Sequence, residues 1–191
     1  AIRLARHVTS KTHVIYVGYH GGFSDYLSTT DKNGGVLPQL SCVNHQVPWG
    51  DEDAILDCLD ICYKDLAAIL FEVPPEPWGQ GPEITRQRIE RSIELAHGAG
   101  AFASIDEVVT GLRYGLGGAQ AMYGVTADLA CFSKGMANGY KLAAVTGPRA
   151  LMQAFEGGQV FLSTTFGGEA TALAACKATL DILHETAVLR R

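Results

Sequence analysis

A lysine closes the apolar stretch Leu129-Ala130-Cys131-Phe132-Ser133-Lys134, with Gly135 and Gly139 just behind it. Burial lowers a lysine's pKa, and the neutral amine is then nucleophilic enough to form an imine with an aldehyde. Lysines at strand ends also commonly point into water, so this residue alone carries two readings. Asp106-Glu107 closes another apolar run, Ala101 to Ile105. Acids at the end of a buried strand need a cation, a metal or a heterocyclic NH as partner. A carboxylate facing a pyridinium nitrogen would hold that ring protonated and electron-withdrawing. A helix cap or a surface acid pair is the plainer alternative.

Three more segments place polar groups after apolar runs. In Tyr19-His20-Gly21-Gly22 an aromatic ring can stack on a planar ligand, and the glycines allow close backbone approach. Tyr19 reads equally as a core tyrosine beside a glycine turn. Glu72 interrupts the run Leu66 to Val73 and must be paired if buried. Thr164-Thr165-Phe166-Gly167-Gly168 precedes the last long helical pattern, where hydroxyl and NH groups suit a phosphate or simply cap the helix.

The elements that would position these groups alternate in type. His13 to Val17, Leu66 to Val73 (stopped by Pro74 and Pro75), Ala101 to Ile105, Leu129 to Phe132 and Leu142 to Thr146 read as strands. Residues 23–50 read as loop-rich, with glycine, proline, Asn and Asp favouring turns. Asp51 caps a helix through Cys62, with Ile55, Leu56 and Leu59 on one face. Pro82 opens a helix to His97 that buries Ile89, Ile93 and Ala96. A last helix from Glu169 towards His184 is expected to bury Leu173, Cys176, Leu180 and Leu183. This pattern predicts an α/β fold, mainly a parallel sheet with helices on both faces, whose ligands gather at the carboxyl ends of the strands.

The chain has 191 residues, 47% hydrophobic and 18% charged, an ordinary globular balance for one domain. A net charge of −5 argues against nucleic acid or an anionic membrane as partner, and no apolar run approaches a membrane span. The five cysteines have no framework spacing and read as buried, reduced thiols of a cytoplasmic protein. Cys58 and Cys62 lie one helical turn apart near His45, but a metal site wants further paired ligands, so no metal is expected. Ala1 to His7, with Arg3 and Arg6 and no acid, faintly resembles a transit peptide and reads better as a cut-off helix running into the first strand.

Taken in order, AIRLAR, YHGGFSDYL, ILFEVPPEPWG, IDEVVTGLRYGLGGAQAMYGV, DLACFSKGMANGYKLAAVTG and STTFGGEATALAA resemble the class III aminotransferases of fold-type I. That family includes ornithine aminotransferase and glutamate-1-semialdehyde aminomutase, and depends on pyridoxal 5'-phosphate (PLP). The resemblance implies that Lys134 forms the Schiff base and shuttles the proton, and that Asp106 pairs with the pyridinium nitrogen. It also implies that Tyr19 and Val108 flank the ring and that His20 shapes the pocket. Glu72 would stand near the active site. Thr165 would reach the phosphate of a neighbouring subunit's cofactor, hence a homodimer. The substrates implied are an amine donor and a keto or aldehyde acceptor; an aminomutase or a decarboxylating member shares the same chemistry.

The departures are informative. Val109 stands where many members have Gln, and the aminomutase branch also has an apolar residue there. Lys141 replaces a common proline and adds a second lysine; it is set aside because it begins the next strand. Thr164 and Thr165 trade roles if the alignment slips by one. Residues 1–191 correspond to the PLP-binding large domain, starting inside the AIRLAR helix and stopping before the smaller C-terminal domain, so this piece alone is expected to turn over poorly or not at all. A nicotinamide-dependent dehydrogenase ranks low because no G-x-G-x-x-G follows the first strand. A non-catalytic relic of the fold is the third reading, and the joint presence of Lys134, Asp106 and Thr165 speaks against it.

Overall fold

The structure, a computed structural model, describes residues 1–74 and 81–185. Strands β1 (His13–Val17), β2 (Asn44–Val47), β3 (Leu66–Glu72), β4 (Phe102–Asp106), β5 (Leu129–Phe132) and β6 (Ala144–Thr146) form one sheet in the order β2-β1-β3-β4-β5-β6. All neighbours are parallel except β5 and β6, which run antiparallel. The helices are α1 (Ile2–Thr9), α2 (Ser24–Leu27), α3 (Glu52–Cys62), α4 (Pro82–Gly98), α5 (Gly118–Tyr123), α6 (Arg149–Glu156) and α7 (Ala170–Glu185).

Side-chain alternation along the strands divides the core between two faces. Ile15, Val17, Ile69, Phe71 and Ile105 pack against Ile55 and Leu59 of α3 and Ile89 of α4. On the other face, Val14, Tyr16, Ala68 and Leu70 meet Ala5 of α1 and Tyr26 of α2. Leu129 joins Leu4 and the α6 side chains there. β3 has neighbours on both sides and helices on both faces, so its first six residues are buried, which is why it reads as a continuous apolar run. Complete burial of side chains such as Ile69 and Phe71 contributes about 2 kcal/mol each.

Local signals account for most element ends. Asp51 accepts a hydrogen bond from Ala54 N at 3.0 Å and starts α3. Pro82 stands in the first turn of α4, where a missing N–H costs nothing. Pro75 and the rest of the PEPWG part of its motif lie outside the described residues.

Three expectations need correction. The stretch 23–50 holds α2, a 3₁₀ turn at Pro38–Cys42 and the edge strand β2, not loop alone. β2 reads Asn-His-Gln-Val and pairs on one side only, so it carries no apolar run to betray it. On α3, Leu56 is exposed while Ile55 and Leu59 are buried. The largest miss is α7: Leu173 is 49% exposed and Leu180 37%, and Ala172 is its one buried residue. The helix has an apolar stripe, but among the described residues no second layer covers it. No described helix is long and apolar enough to cross a membrane.

Candidate active site

Four adjacent parallel strands deliver the candidate residues to one edge of the sheet. His20 follows β1, Glu72 ends β3, Asp106 ends β4 and Lys134 follows β5. Glu72 and Asp106 are direct register partners, so two carboxylates end neighbouring strands about 4.8 Å apart. Lys134 lies within electrostatic reach of Glu72 and favours its ionised form.

Asp106 is held by both oxygens. Oδ1 accepts from Val108 N at 2.9 Å, and Oδ2 faces His20 Nδ1 at 2.9 Å. His20 Nε2 faces the Val17 carbonyl at 3.1 Å, and the ring is buried. An oxygen stands at each ring nitrogen, so the buried ring is held between the part-buried Asp106 carboxylate and the Val17 carbonyl. His20 thus braces Asp106 from behind, a role the sequence could only have suggested through the Tyr-His-Gly motif.

Glu107, one residue on, does something different. Its carboxylate is fully buried and accepts from Thr110 Oγ1, Ala119 N (3.0 Å) and Gln120 N (3.0 Å). It satisfies orphan N–H groups in the first turn of α5, and a Cβ at Gly118 (φ +62°) would come within 2.7 Å of its oxygens. Of the two acids, one faces the sheet edge and the other anchors the loop behind it. Glu107→Ala would strand three donors, those of Thr110 and Ala119 buried and that of Gln120 part-buried, and a loss of roughly 3–5 kcal/mol in unfolding free energy is expected by denaturant titration.

Glu72 is half-buried, and its Oε1 accepts from Tyr19 N at 2.8 Å. The strand-to-loop turn beneath it is Gly18 at φ +92°, where a Cβ would stand 2.6 Å from Glu72 Cγ. Burial pushes the Glu72 carboxyl above its ordinary value of 4.5, opposed by the Tyr19 N–H and by His20. A carboxyl raised on folding stabilises the fold fully below about pH 4.5 and loses that contribution as pH rises through its elevated native value. Glu72→Gln should remove this pH-dependent component, so the melting temperature of the variant should fall less than the parent's between pH 4.5 and 7.

Lys134 opens the 3₁₀ turn Lys134–Met136 at φ +41°, a left-handed conformation uncommon outside glycine. Ser133 Oγ donates to the Leu142 carbonyl at 2.7 Å and pins this loop to the approach of β6. The lysine is exposed rather than enclosed, so this chain by itself does not give it the desolvated pocket expected from sequence. Lys141 lies three residues before β6, which begins at Ala144; it does not begin that strand as expected. It lines an open groove of about 830 Å³ with Val108, Phe132, Thr164 and Gly167, whereas Lys134 is not among the groove's lining residues. Tyr19 is 66% exposed and packs edge-on against Tyr26 at 5.9 Å. Thr165 is exposed beside the groove, while Thr164 faces it and accepts, through its carbonyl, from Gly167 N at 3.1 Å.

These groups fit a planar aldehyde cofactor with a ring nitrogen and a phosphate. Asp106 offers an anion with lone pairs left, Val108 an apolar wall, and residues 163–168 offer hydroxyls and backbone N–H groups. The described cysteines form no disulfide, and against the expectation of buried thiols only Cys62 is buried while Cys42 is exposed; no expected site residue other than Thr165 falls away from the strand ends that gather the rest.

Comparison with known proteins agrees with the geometry. The chain is 35% identical over 190 residues to 3-aminobutyryl-CoA aminotransferase of Cloacimonas acidaminovorans, covering 99% of this chain and 45% of that protein. It is 35% identical over 199 residues to glutamate-1-semialdehyde 2,1-aminomutase of Methanoregula boonei, covering 97% and 47%. The chain therefore spans about half the length of the curated relatives it matches. Among solved structures, a transaminase with PLP bound superposes with a TM-score of 0.84 at 22% identity, over 95% of this chain and 46% of that one. The FumI protein of Sphingopyxis sp. MTA144 gives 0.82 at 23%, over 99% and 45%. A family model for class-III aminotransferases matches residues 1–191, and the chain belongs to that PLP-dependent family.

Proposed function

We propose that the protein transfers an amino group from an amine donor to a keto or aldehyde acceptor, with Lys134 as the residue that holds the cofactor. The observation that carries this reading is the convergence of His20, Glu72, Asp106 and Lys134 on four adjacent strand ends. Bound PLP supplies an aldehyde that captures the amine and a ring that withdraws electrons. Asp106, braced by His20, holds a negative charge towards the ring nitrogen. Val108 and Tyr19 bound the ring's two faces. Lys134 Nζ takes and returns the proton at the reacting carbon. Glu72 fixes the turn that carries Tyr19.

Two copies complete the site on this reading. Thr165 reaches the partner's cofactor phosphate, which accounts for its exposure, and the uncovered stripe on α7 belongs to the contact. Phe161 (72% exposed) and Phe166 (68%) flank Thr165 and favour the same surface. Free thiols and the absence of a disulfide among the described residues favour a reducing, cytoplasmic setting.

The test is a screen of amine donors against the full-length protein loaded with PLP. Conversion of the cofactor's absorbance to its amine form, followed by recovery on adding a keto acceptor, is the expected result. No conversion with any donor would contradict the reading. A second reading, an aminomutase, is favoured by Val109 and by relatives such as the Methanoregula protein. It predicts amino migration within a single substrate and no net transfer to an added acceptor.

A further inference from the structure

We propose that His13, His45 and Cys62 form a binding site for a thiophilic divalent cation of the zinc class, at the end of the sheet opposite the cofactor site. One ligand atom from each side chain lies within 4.8 Å of the other two. The residues come from β1, β2 and the last turn of α3, so no local sequence motif brings them together. His13 is the ligand that the Cys58/Cys62/His45 grouping lacked.

The register explains the meeting. Ile15 pairs with His45, so His13 lies two residues before His45's partner and on the same face of the sheet. That face packs against α3, whose buried Cys62 belongs to the same core cluster as Ile15 and Leu59. The two imidazoles stack with centroids 5.2 Å apart and planes within 7°. His13 Nδ1 stands 2.9 Å from His45 Nε2, which leaves a single proton between two nitrogens. A tetrahedral ion with bonds of about 2.0–2.1 Å to nitrogen needs such atoms about 3.3 Å apart, an opening of a few tenths of an ångström.

A fourth group supports the assignment. The other ring nitrogen of His13, Nε2, faces Asp65 Oδ2 at 3.8 Å, and that carboxylate is itself fixed by Thr12 N at 3.1 Å. A carboxylate behind a ligating histidine orients the ring and selects the tautomer whose lone pair meets the metal. Binding moves the shared proton to an outward ring nitrogen, and the Cys62 thiol loses its proton to solvent as the sulfur–metal bond forms. The open fourth position goes to water. From His13 to Val17 β1 climbs about 13 Å before the turn at Gly18, so this site acts on stability at the far end of the sheet and touches no group of the cofactor site.

The test uses the full-length, PLP-loaded and reduced protein, with Zn²⁺ titrated against a chelating indicator and Co²⁺ as a spectroscopic probe. One equivalent of either ion per chain is expected, with a thiolate-to-cobalt charge-transfer band and a higher melting temperature. Cys62→Ala should abolish the band, and Cys62→Ala and His13→Gln should each weaken Zn²⁺ binding by more than roughly 100-fold, beyond the effect of losing an outer-shell partner. Cys42→Ser, an exposed thiol elsewhere, should leave both signals in place. Failure of the parent to show the band would overturn the proposal, as would a band that survives in folded Cys62→Ala. If Cys62→Ala does not fold, His13→Gln at the partly exposed start of β1 decides: unchanged Zn²⁺ affinity sinks the site, and a 100-fold loss supports it.

Discussion

Replacing Lys134 with alanine is expected to lower turnover of the full-length enzyme by roughly 10⁴-fold and to end covalent retention of PLP. β5 ends at Phe132, Ser133 is tied to the Leu142 carbonyl, and the next residue is Lys134 in a left-handed turn beside the carboxylate ends of β3 and β4. No other lysine side chain is delivered by that strand end. On the proposed reading, alanine removes both the amine that holds the cofactor and the base that moves the proton, and these two losses act on one step rather than adding. Lys141→Ala, by contrast, should cost no more than about tenfold, through its place on the groove wall. Steady-state kinetics with the preferred donor, and dialysis of loaded protein, check both. A Lys134→Ala enzyme that keeps its cofactor on dialysis and its turnover would remove the lysine from the mechanism.

Asp106→Asn is the second large effect, an expected fall in kcat of roughly 10³-fold. The substitution is nearly isosteric, and the amide oxygen still accepts from Val108 N, so the fold should survive. What is lost is the charge. His20 faces Asp106 with Nδ1 and the Val17 carbonyl with Nε2, so the part-buried carboxylate is braced by a buried ring. On the proposed reading, removing the anion takes the carboxylate partner from His20 Nδ1 and the counter-charge from the cofactor's ring nitrogen. Asp106→Asn should therefore weaken PLP binding and slow the proton-transfer step together, whereas a purely structural role would alter the melting temperature and leave kcat near the parent's. An isotope effect on the donor's α-hydrogen that grows in the variant would locate the loss in that step.

The sheet could be read from the sequence because its central strands are buried on both faces. Leu66 to Phe71 is apolar throughout for that reason, and Ala101 to Ile105 nearly so. All the candidate positions except Thr165 could be placed at strand ends because each lies at, or within three residues of, the end of such a run. What escaped was polar or short: β2 is an edge strand of Asn, His and Gln, and α5 is six residues held by a carboxylate from another element. The separate duties of Asp106 and Glu107 also lay beyond the sequence, since adjacent acids give no sign of which one turns inward. For α7 the periodicity was real, but periodicity reports an apolar stripe and not what covers it. The exposure of Lys134 follows similarly: a strand-end position can be read from residues, and the walls that enclose it cannot.

The most direct measurement is to load the full-length protein with PLP, reduce it with borohydride so that the cofactor is locked onto whichever lysine holds it, and map the modified peptide by mass spectrometry. The modification is predicted on Lys134. Modification of Lys141 instead, or of no lysine at all in protein that has taken up PLP, would contradict the assignment.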